Sequence, residues 1–406
     1  MDQQDFFRLL LNLTPEWEVV EVKLNDSDEI DIFIRYKLDK AKCPLKNEIC
    51  SIYDWREIRR WRHLNVLQYK SFINCKIPRV INSDGKVSTI EVPWSDFSDR
   101  YTYLFEAEVV KTLQLCKNQT KTARYLAVSY DIVNSIMKSS VERGLKNRMV
   151  SVTTTIGLDE KSFLKGQNFV TVLTDIDNGC VLDIEPDRTI KAGINVLDKT
   201  FTESQLKAVK VVVSDMSEAY MSVGKNKIPN AIQVADRFHL IKILNNAIDK
   251  TRKQEVRREK TLLANSKYAL LKRPENLTNK QKMTFEAIDK ANLRTARVWR
   301  AKENFRALFG QPDGTHAFIS LNTWLQDVKN ITIYQLEQVA KTFKKHLNAV
   351  INALWHNASN AMTERLNGGI QELKAIAKGY RNFENFRTAI LFHYGKLNLH
   401  PPQNFP

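Results

Sequence analysis

The order of strand and helix signals between residues 151 and 238 limits the fold more than any other feature of the chain. Apolar and β-branched residues run or alternate there at strand spacing, with helical signals between the later runs. The predicted strands are 152–159, 168–175, 180–185, 209–214 and 231–234, and the predicted helices are 189–206 and 216–223. A parallel pair of strands needs a crossover of about a dozen residues, usually a helix, which the last two intervals supply.

Three successive strands followed by helix, strand, helix and strand are typical of a ribonuclease H-like α/β fold. In that fold the first strand is central and the fourth lies beside it. Residues 239–356 carry helical signals and no strand pattern, which predicts an all-α insertion. The catalytic core is therefore expected to occupy residues 151–238 and to resume over 357–406.

Two aspartates stand at ends of neighbouring strands in this arrangement, and one glutamate stands on a later helix. Asp159 closes the run Ile156-Gly157-Leu158, Asp215 closes the run 209–214, and Glu364 lies in the polar helical stretch 359–367. Mg²⁺ is a hard cation that prefers oxygen ligands, so these three carboxylates are candidate catalytic residues and metal ligands. Mn²⁺ is expected to substitute.

Each acid also has a structural interpretation when it is taken alone. Asp159 could be a polar strand end or a surface pair with Glu160, and Asp215 could cap a helix that starts at Met216. Glu364 could form ion pairs on an exposed helix. The three acids taken together with the strand order favour a metal site that cleaves phosphodiesters.

Three further residues are expected to line this site. Asp236 and His239 share one helical face after the fifth strand, and Asn367 has the same spacing from Glu364. Asp236 could cap its helix or support the metal ligands. His239 could orient a ligand or contact a phosphate, and a purely structural histidine is the alternative.

The residues before the core predict two modules. Residues 1–95 predict a β-rich module, with period-two alternation at 18–22 and 30–34. Residues 96–150 predict a helix-turn-helix in which Ser129 caps the recognition helix, and the alternative is an ordinary pair of core helices. Candidate DNA-binding residues of this helix are Ser129, Tyr130 and Asn134.

The charge distribution points to a polyanionic partner. The net charge is +16, and residues 241–310 hold 18 basic against 7 acidic residues. This surplus predicts a surface for DNA phosphates, with a solvated helix face as the alternative; Arg252, Lys253, Arg257 and Arg258 are the candidates. Five cysteines and the lack of a long apolar run favour a cytoplasmic protein without a membrane segment.

Several of these segments together resemble the ISL3 family of bacterial insertion-sequence transposases, a DDE group. The resemblance covers nearly the whole chain and is carried by the following segments: Arg60–Leu64, Val92–Trp94, Ile156–Glu160 with Phe163 and Lys165-Gly166, Val213–Ser217 with Ala219-Tyr220, Gln233–Leu240, Glu364–Asn367 and Gly379–Phe383. It implies that Asp159, Asp215 and Glu364 are the catalytic triad, which cuts element ends and joins them to target DNA. It also implies double-stranded DNA as partner and a homodimer that pairs two ends.

Members of that family usually carry an N-terminal zinc module with paired CxxC motifs, from which this sequence departs. Cys43 and Cys50 are separated by six residues, and the region of the expected second pair, 81–85, has no cysteine. A site from Cys43, Cys50, Cys75 and His63 has poor spacing for zinc, so structural zinc is not expected. Two other functions remain open: a nuclease or resolvase without strand transfer, and a DNA-binding protein that has lost its chemistry.

Overall fold

A computed structural model describes residues 3–96, 98–148, 153–163, 169–356 and 360–401 of the chain. The chain divides into two compact units. The first unit contains the chain up to Arg148 and a second segment that begins at Leu397, and the second unit ends at Lys396. The β-rich and helix-turn-helix segments thus share one unit, and the helical segment shares the other with the second unit's sheet.

The first unit begins with helix α1 (Gln3–Leu10) and two four-stranded sheets. The strands are β1 (Trp17–Leu24), β2 (Glu29–Tyr36), β3 (Lys40–Lys42), β4 (Ile49–Trp55), β5 (Arg59–Val66), β6 (Tyr69–Cys75), β7 (Pro78–Ile81) and β8 (Val87–Thr89). Their orders are β1-β2-β6-β5 and β3-β4-β7-β8. The predicted alternation at 18–22 and 30–34 lies inside β1 and β2, which confirms a β-rich module.

An aromatic cluster holds this module together. Trp94 lies edge-on to Trp17 and Trp61, with ring centroids 4.9 and 5.7 Å apart, and all three indoles are buried. Large rings that pack edge to face add about 0.5–1.5 kcal/mol per pair beyond their burial.

Three helices follow: α2 (Tyr103–Cys116), α3 (Gln119–Tyr125) and α4 (Tyr130–Lys146). The Ser129 hydroxyl accepts from the backbone N–H of Ile132 and caps α4 as predicted. Ala127, at φ +51°, supplies the left-handed residue of the turn. Ala123, Val133 and Ile136 are buried between the helices. The predicted helix-turn-helix is present.

The sheet of the second unit has five strands in the order β11-β10-β9-β12-β13. The strands are β9 (Thr155–Ser162), β10 (Phe169–Asp175), β11 (Cys180–Pro186), β12 (Val211–Ser214) and β13 (Ile232–Ala235). Strands β10 and β11 are antiparallel to their neighbours, whereas β9, β12 and β13 run parallel. The first strand is central and the fourth lies beside it, as predicted. Residues 152 and 168, where two strands were expected to start, lie outside the described residues, as do Lys165-Gly166 and residue 359.

Helices connect the parallel strands. They are α5 (Ile190–Thr200), α6 (Glu203–Ala208) and α7 (Glu218–Lys227). The single helical signal at 189–206 is two helices, because Thr202 forms a capping box with Gln205 and restarts the chain.

Beyond β13 the chain is helical through residue 355, which confirms the predicted all-α region among the described residues. Its helices are α8 (Arg237–Glu255), α9 (Lys260–Leu263), α10 (Lys267–Leu271), α11 (Asn279–Lys290), α12 (Arg294–Arg306), α13 (Gly314–Ile331), α14 (Tyr334–Lys345) and α15 (Leu347–Trp355), with a short 3₁₀ turn at Pro274–Asn276. Helices α16 (Asn360–Ile376) and α17 (Phe383–Tyr394) complete the unit. Within the described residues, none of the helices has the length and apolar character to cross a membrane.

Candidate active site

The register of two parallel strands places Asp159 and Asp215 next to each other. Strand β12 pairs with β9 through Val213 with Gly157 and Ser214 with Leu158. The next position on each strand is an aspartate, and adjacent strands lie about 4.8 Å apart. Asp159 is 5% exposed, so its carboxylate lies within the protein and not on an open surface.

A third aspartate continues this row. Strand β13 pairs with β12 through Ala235 and Ser214, and the backbone N–H of Asp236 donates to the Ser214 carbonyl at 2.8 Å. Asp236 is buried, caps α8 by accepting from the N–H of Phe238, and binds Nδ1 of His239 at 3.0 Å. Asp236 thus caps its helix, which is one of its two predicted tasks, and holds His239 in place.

The electrostatics of His239 report on the same row of acids. Burial by itself lowers its pKa, but the hydrogen bond to Asp236 and the charges of Asp236, Asp159 and Asp215 outweigh burial and raise the pKa. An imidazole with a raised pKa near three carboxylates carries positive charge over more of the neutral range. The edge of the sheet therefore gathers three acids around one histidine whose pKa they raise.

Helix α16 lies along this face of the sheet. Asn367 donates from Nδ2 to Oδ2 of Asp159 at 2.9 Å, and Lys374 donates to the carbonyl of Ser162 at 2.6 Å. Glu364 lies one helical turn before Asn367, and residues three apart on a helix have Cβ atoms about 5–6 Å apart. The Glu364 side chain is exposed.

Asp159 is held by three contacts. Lys161 binds its Oδ2 at 2.7 Å, the same oxygen that accepts from Asn367, and the backbone N–H of Glu160 donates to Oδ1 at 2.8 Å. The neighbour Glu160 pairs with Arg188 instead. The sequence-based alternative of an Asp159–Glu160 surface pair therefore does not describe Asp159.

Asp215 does not cap a helix, which was its structural alternative. Its Oδ1 accepts from the backbone N–H of Ser217 at 3.0 Å, and Ser217 itself caps α7, which starts at Glu218 and not at Met216. The Asp215 carboxylate is thus held toward the end of β12 by a turn.

The donor set along this edge fits a hard divalent cation in its chemistry. All candidate ligands are carboxylate oxygens, which Mg²⁺ prefers, and no soft donor lies among them. Across the described residues, no three His, Cys, Asp or Glu side chains yet converge closely enough to hold one ion. The strand register brings Asp159 and Asp215 together, whereas Glu364 is exposed on α16.

The residues weighed for zinc have other partners. The Cys43 thiol contacts the Ser88 hydroxyl at 3.4 Å, and Nδ1 of His63 contacts the Thr102 hydroxyl at 2.9 Å. Burial raises the pKa of Cys75 to about 12, and burial with the charge of Arg62 lowers the pKa of His63 to about 4. Among the residues that the structure describes, these four side chains are not grouped into a site that could hold a metal ion.

The candidate DNA-binding residues fall into two regions. Tyr130 and Asn134 on α4 are bridged by Gln119, whose amide contacts both at 2.6 and 3.1 Å. Near the end of α8, Arg252 and Lys253 bind Asp249 at 2.7 and 2.9 Å. Arg257 and Arg258 follow in an exposed turn.

The sequence did not predict Lys161, which binds Asp159, or Lys374, which binds the end of β9. A signal for Lys161 was available, since residues two apart on a strand share a face. For Lys374 no local signal exists, because its contact spans 212 positions of the chain.

Comparisons with known proteins agree with this geometry. Residues 156–390, more than half of the chain, match the family model of ISL3 DDE transposases, described as transposase. The chain belongs to the ISL3 family of DDE transposases. Residues 90–141 match the helix-turn-helix domain of transposase family ISL3. The ordinary pair of core helices, the alternative for that segment, is therefore set aside.

Full-length relatives point the same way. The transposase for insertion sequence element IS1557 of Mycobacterium tuberculosis is 24% identical over 413 residues, covering 93% of this chain and 92% of the relative. The transposase for insertion sequence element IS1001 of Bordetella parapertussis is 23% identical over 377 residues, covering 91% and 92%. The ISL3 member described here is a DNA-binding transposase, and its DDE family implies the use of a divalent metal ion.

Proposed function

We propose that this transposase cuts the ends of an insertion sequence and joins them to target DNA, with Mg²⁺ held by Asp159, Asp215 and Glu364. One observation carries the proposal: the β9–β12 register sets Asp159 beside Asp215, and Asn367, which binds Asp159, lies one helical turn from Glu364 on α16. Mn²⁺ is expected to support the same reaction.

The order of the strands supports a ribonuclease H-like core. Its first strand is central, its fourth and fifth follow on one side, and the second and third on the other. The helical region from α8 to α15 then interrupts the core between β13 and the helix of Glu364. Arg237 donates to the carbonyls of Ala353 and His356 at 2.9 and 2.8 Å, which returns the chain to the sheet edge after the insertion.

When bound, divalent ions would lower the pKa of a water and neutralise charge on the leaving oxygen. Asp159 and Asp215 would hold such ions on the rigid sheet edge, and Glu364 would swing in from α16. Lys161 and Asn367 position the Asp159 carboxylate, and Asp236 positions His239 beside the row.

The two DNA-facing regions would divide the binding. The helix-turn-helix, with Ser129, Tyr130 and Asn134 at the start of α4, would read the terminal inverted repeats. The exposed bases Lys253, Arg257 and Arg258, with Arg252 beside them, would bind flanking phosphates without reading sequence. Pairing two ends for joining requires two active sites, so a homodimer is proposed for the assembled complex.

The test is cleavage and strand transfer on labelled element-end DNA with Asp159→Asn, Asp215→Asn and Glu364→Gln. The matched control is Glu372→Gln, two turns further along α16. We expect each of the three variants to bind end DNA normally and to lose nicking, while the control cuts.

The alternatives would be visible in the same assay. Cutting without joined products would identify a nuclease or resolvase. Binding without metal-dependent cutting by the unaltered protein would identify an inactive DNA-binding protein. Full nicking by any one of the three variants would remove that acid from the mechanism.

A further inference from the structure

A basic groove of about 760 Å³ runs along the outer side of β13, outside the row of aspartates. One wall is α7, with Ser222 and Lys225, and the other is the junction of α14 and α15, with Lys344 and Lys345. Its floor is β13, the last strand in the sheet order, whose Gln233 carbonyl accepts from Asn352 at 2.9 Å.

One end of the groove adjoins the active site. Asp215 binds the N–H of Ser217, and the next residue, Glu218, already lines the groove. At the opposite wall, the charge of Asp215 is among the influences on the pKa of His346. Glu218 thus brings one end of the groove within three residues of Asp215.

The groove is positively charged. Lys225, Lys344 and Lys345 are exposed, and Glu218 is the acid that faces them among the lining residues. Burial and the nearby Lys345 and Lys225 lower the pKa of His346. Glu218 binds Lys345, but both side chains are largely exposed (78% and 61%), and such surface pairs contribute little stability.

The groove is long enough for a few nucleotides of a DNA strand, which rise about 3.4 Å each along the helix axis. Helix α7 passes along it from Glu218 to Asn226, and eight residues at 1.5 Å give about 12 Å. Neutral donors line it between the lysines, among them Asn226 and Asn348. Ammonium groups with amide donors between them are suited to successive phosphates, which bind without reading the bases.

We propose that this groove binds the phosphodiester backbone of the DNA strand that leaves the active site past Asp215. The inference rests on the proposed cleavage at the sheet edge, and it adds a second phosphate-binding surface separate from the α8 turn. Lys225 and Lys344 would contact phosphates directly, and Lys345 would exchange its ion pair with Glu218 for a phosphate contact.

The test compares Lys225→Ala/Lys344→Ala with a control of equal charge loss, Lys191→Ala/Lys207→Ala, on exposed positions of α5 and α6. Both are made in the full chain and checked for folding by circular dichroism. End-DNA affinity is measured over a series of salt concentrations. Each lost phosphate contact lowers the slope of log affinity against log salt by about 0.9, so the groove variant should lose about 1.8 and the control none.

Phosphate ethylation interference then locates the contacts. In the unaltered protein, ethylation of phosphates just beyond the scissile bond should weaken binding, and the groove variant should lose that sensitivity. A groove variant with the slope and ethylation pattern of the control would overturn the proposal. Failure of the unaltered protein to cut DNA would instead contradict the proposed function, while the slope comparison still decides the groove.

Discussion

The two sources of acid in the candidate site are held in different ways. Asp159, Asp215 and Asp236 follow three parallel strands, where backbone pairing between β9, β12 and β13 sets their spacing. Glu364 stands on α16, whose link to the row is the side-chain hydrogen bond from Asn367 to Asp159. The sheet edge is therefore fixed by backbone bonds, whereas α16 is held by side chains, including the buried Leu366, Ile370 and Leu373.

This difference separates two tasks. Under the proposed function, a metal site would need ligands that the fold holds in place and one that completes the set. Backbone pairing would supply the first kind, and the exposed Glu364 on α16 would supply the second. The residues that touch Asp159 are thus expected to tune metal binding, and the residues of the row to determine whether any reaction occurs.

The largest effect is expected at the fixed edge. Asp215→Asn keeps the turn to Ser217 but removes a negative ligand, so cleavage should fall by about 10³-fold or more. Quench-flow or gel assays of nicking give the rate, and gel-shift assays show unchanged DNA binding. A loss of only about 10–100-fold, as expected for Asn367→Ala on α16, would mean that the edge is not the principal metal-binding region.

A smaller loss of activity is expected when Asn367 on α16 is replaced. Asn367→Ala frees Asp159 from α16 and should reduce activity roughly 10–100-fold, as loss of a residue that positions a ligand does. Because the ligands themselves remain, raised Mg²⁺ should restore part of the rate. The neighbouring Gly368→Ala is the control, since a Cβ there meets open space. If the cleavage rate of Asn367→Ala did not change with the Mg²⁺ concentration, the positioning role of Asn367 would be contradicted.

Removal of Lys161 is expected to raise the affinity for the metal, whereas removal of Asn367 is expected to lower it. Its ammonium binds the Asp159 oxygen that a cation would use, so Lys161→Met should lower the Mg²⁺ concentration for half-maximal cleavage by a few-fold. Titration of cleavage rate against Mg²⁺ measures this, with Lys191→Met as control. A higher Mg²⁺ requirement would show that Lys161 supports the bound metal and does not compete with it.

The smallest effect is expected in how the melting temperature of a His239 variant depends on pH. The pKa of His239 is raised in the folded protein, because Asp236 and the neighbouring acids outweigh burial. A raised pKa adds stability that is complete below the unfolded value near 6.5 and is lost as pH rises through the folded value. His239→Gln should therefore lower the melting temperature more at pH 6 than at pH 8.5, with EDTA present. Equal differences at both pH values would rule out a charged His239.

Much of the fold was predictable because it depends on local periodicity and order along the chain. Val209 to Val213 and Ile156 to Leu158 predicted buried strands, and Ser129 predicted the start of α4, since a cap acts within three residues. The division of 189–206 into two helices was missed, because Thr202 forms its capping box inside a segment with continuous helical periodicity.

The candidate site was predictable only in part. Strand order was enough to place Asp159 near Asp215, and i, i+3 spacing was enough to pair Asp236 with His239. The contacts of Lys374 and Asn367 with β9 join positions more than 200 residues apart, and no periodicity encodes them.

The sequence by itself determined the kinds of element, the helix-turn-helix, the acidic residues and the basic surplus, because each depends on residues close along the chain. Tertiary structure alone decided that three aspartates form one row, that Glu364 stands exposed beside it, and that lysines of α7 and α14 face one groove. Sheet register and helix packing create those proximities, and both depend on contacts between residues distant in the chain.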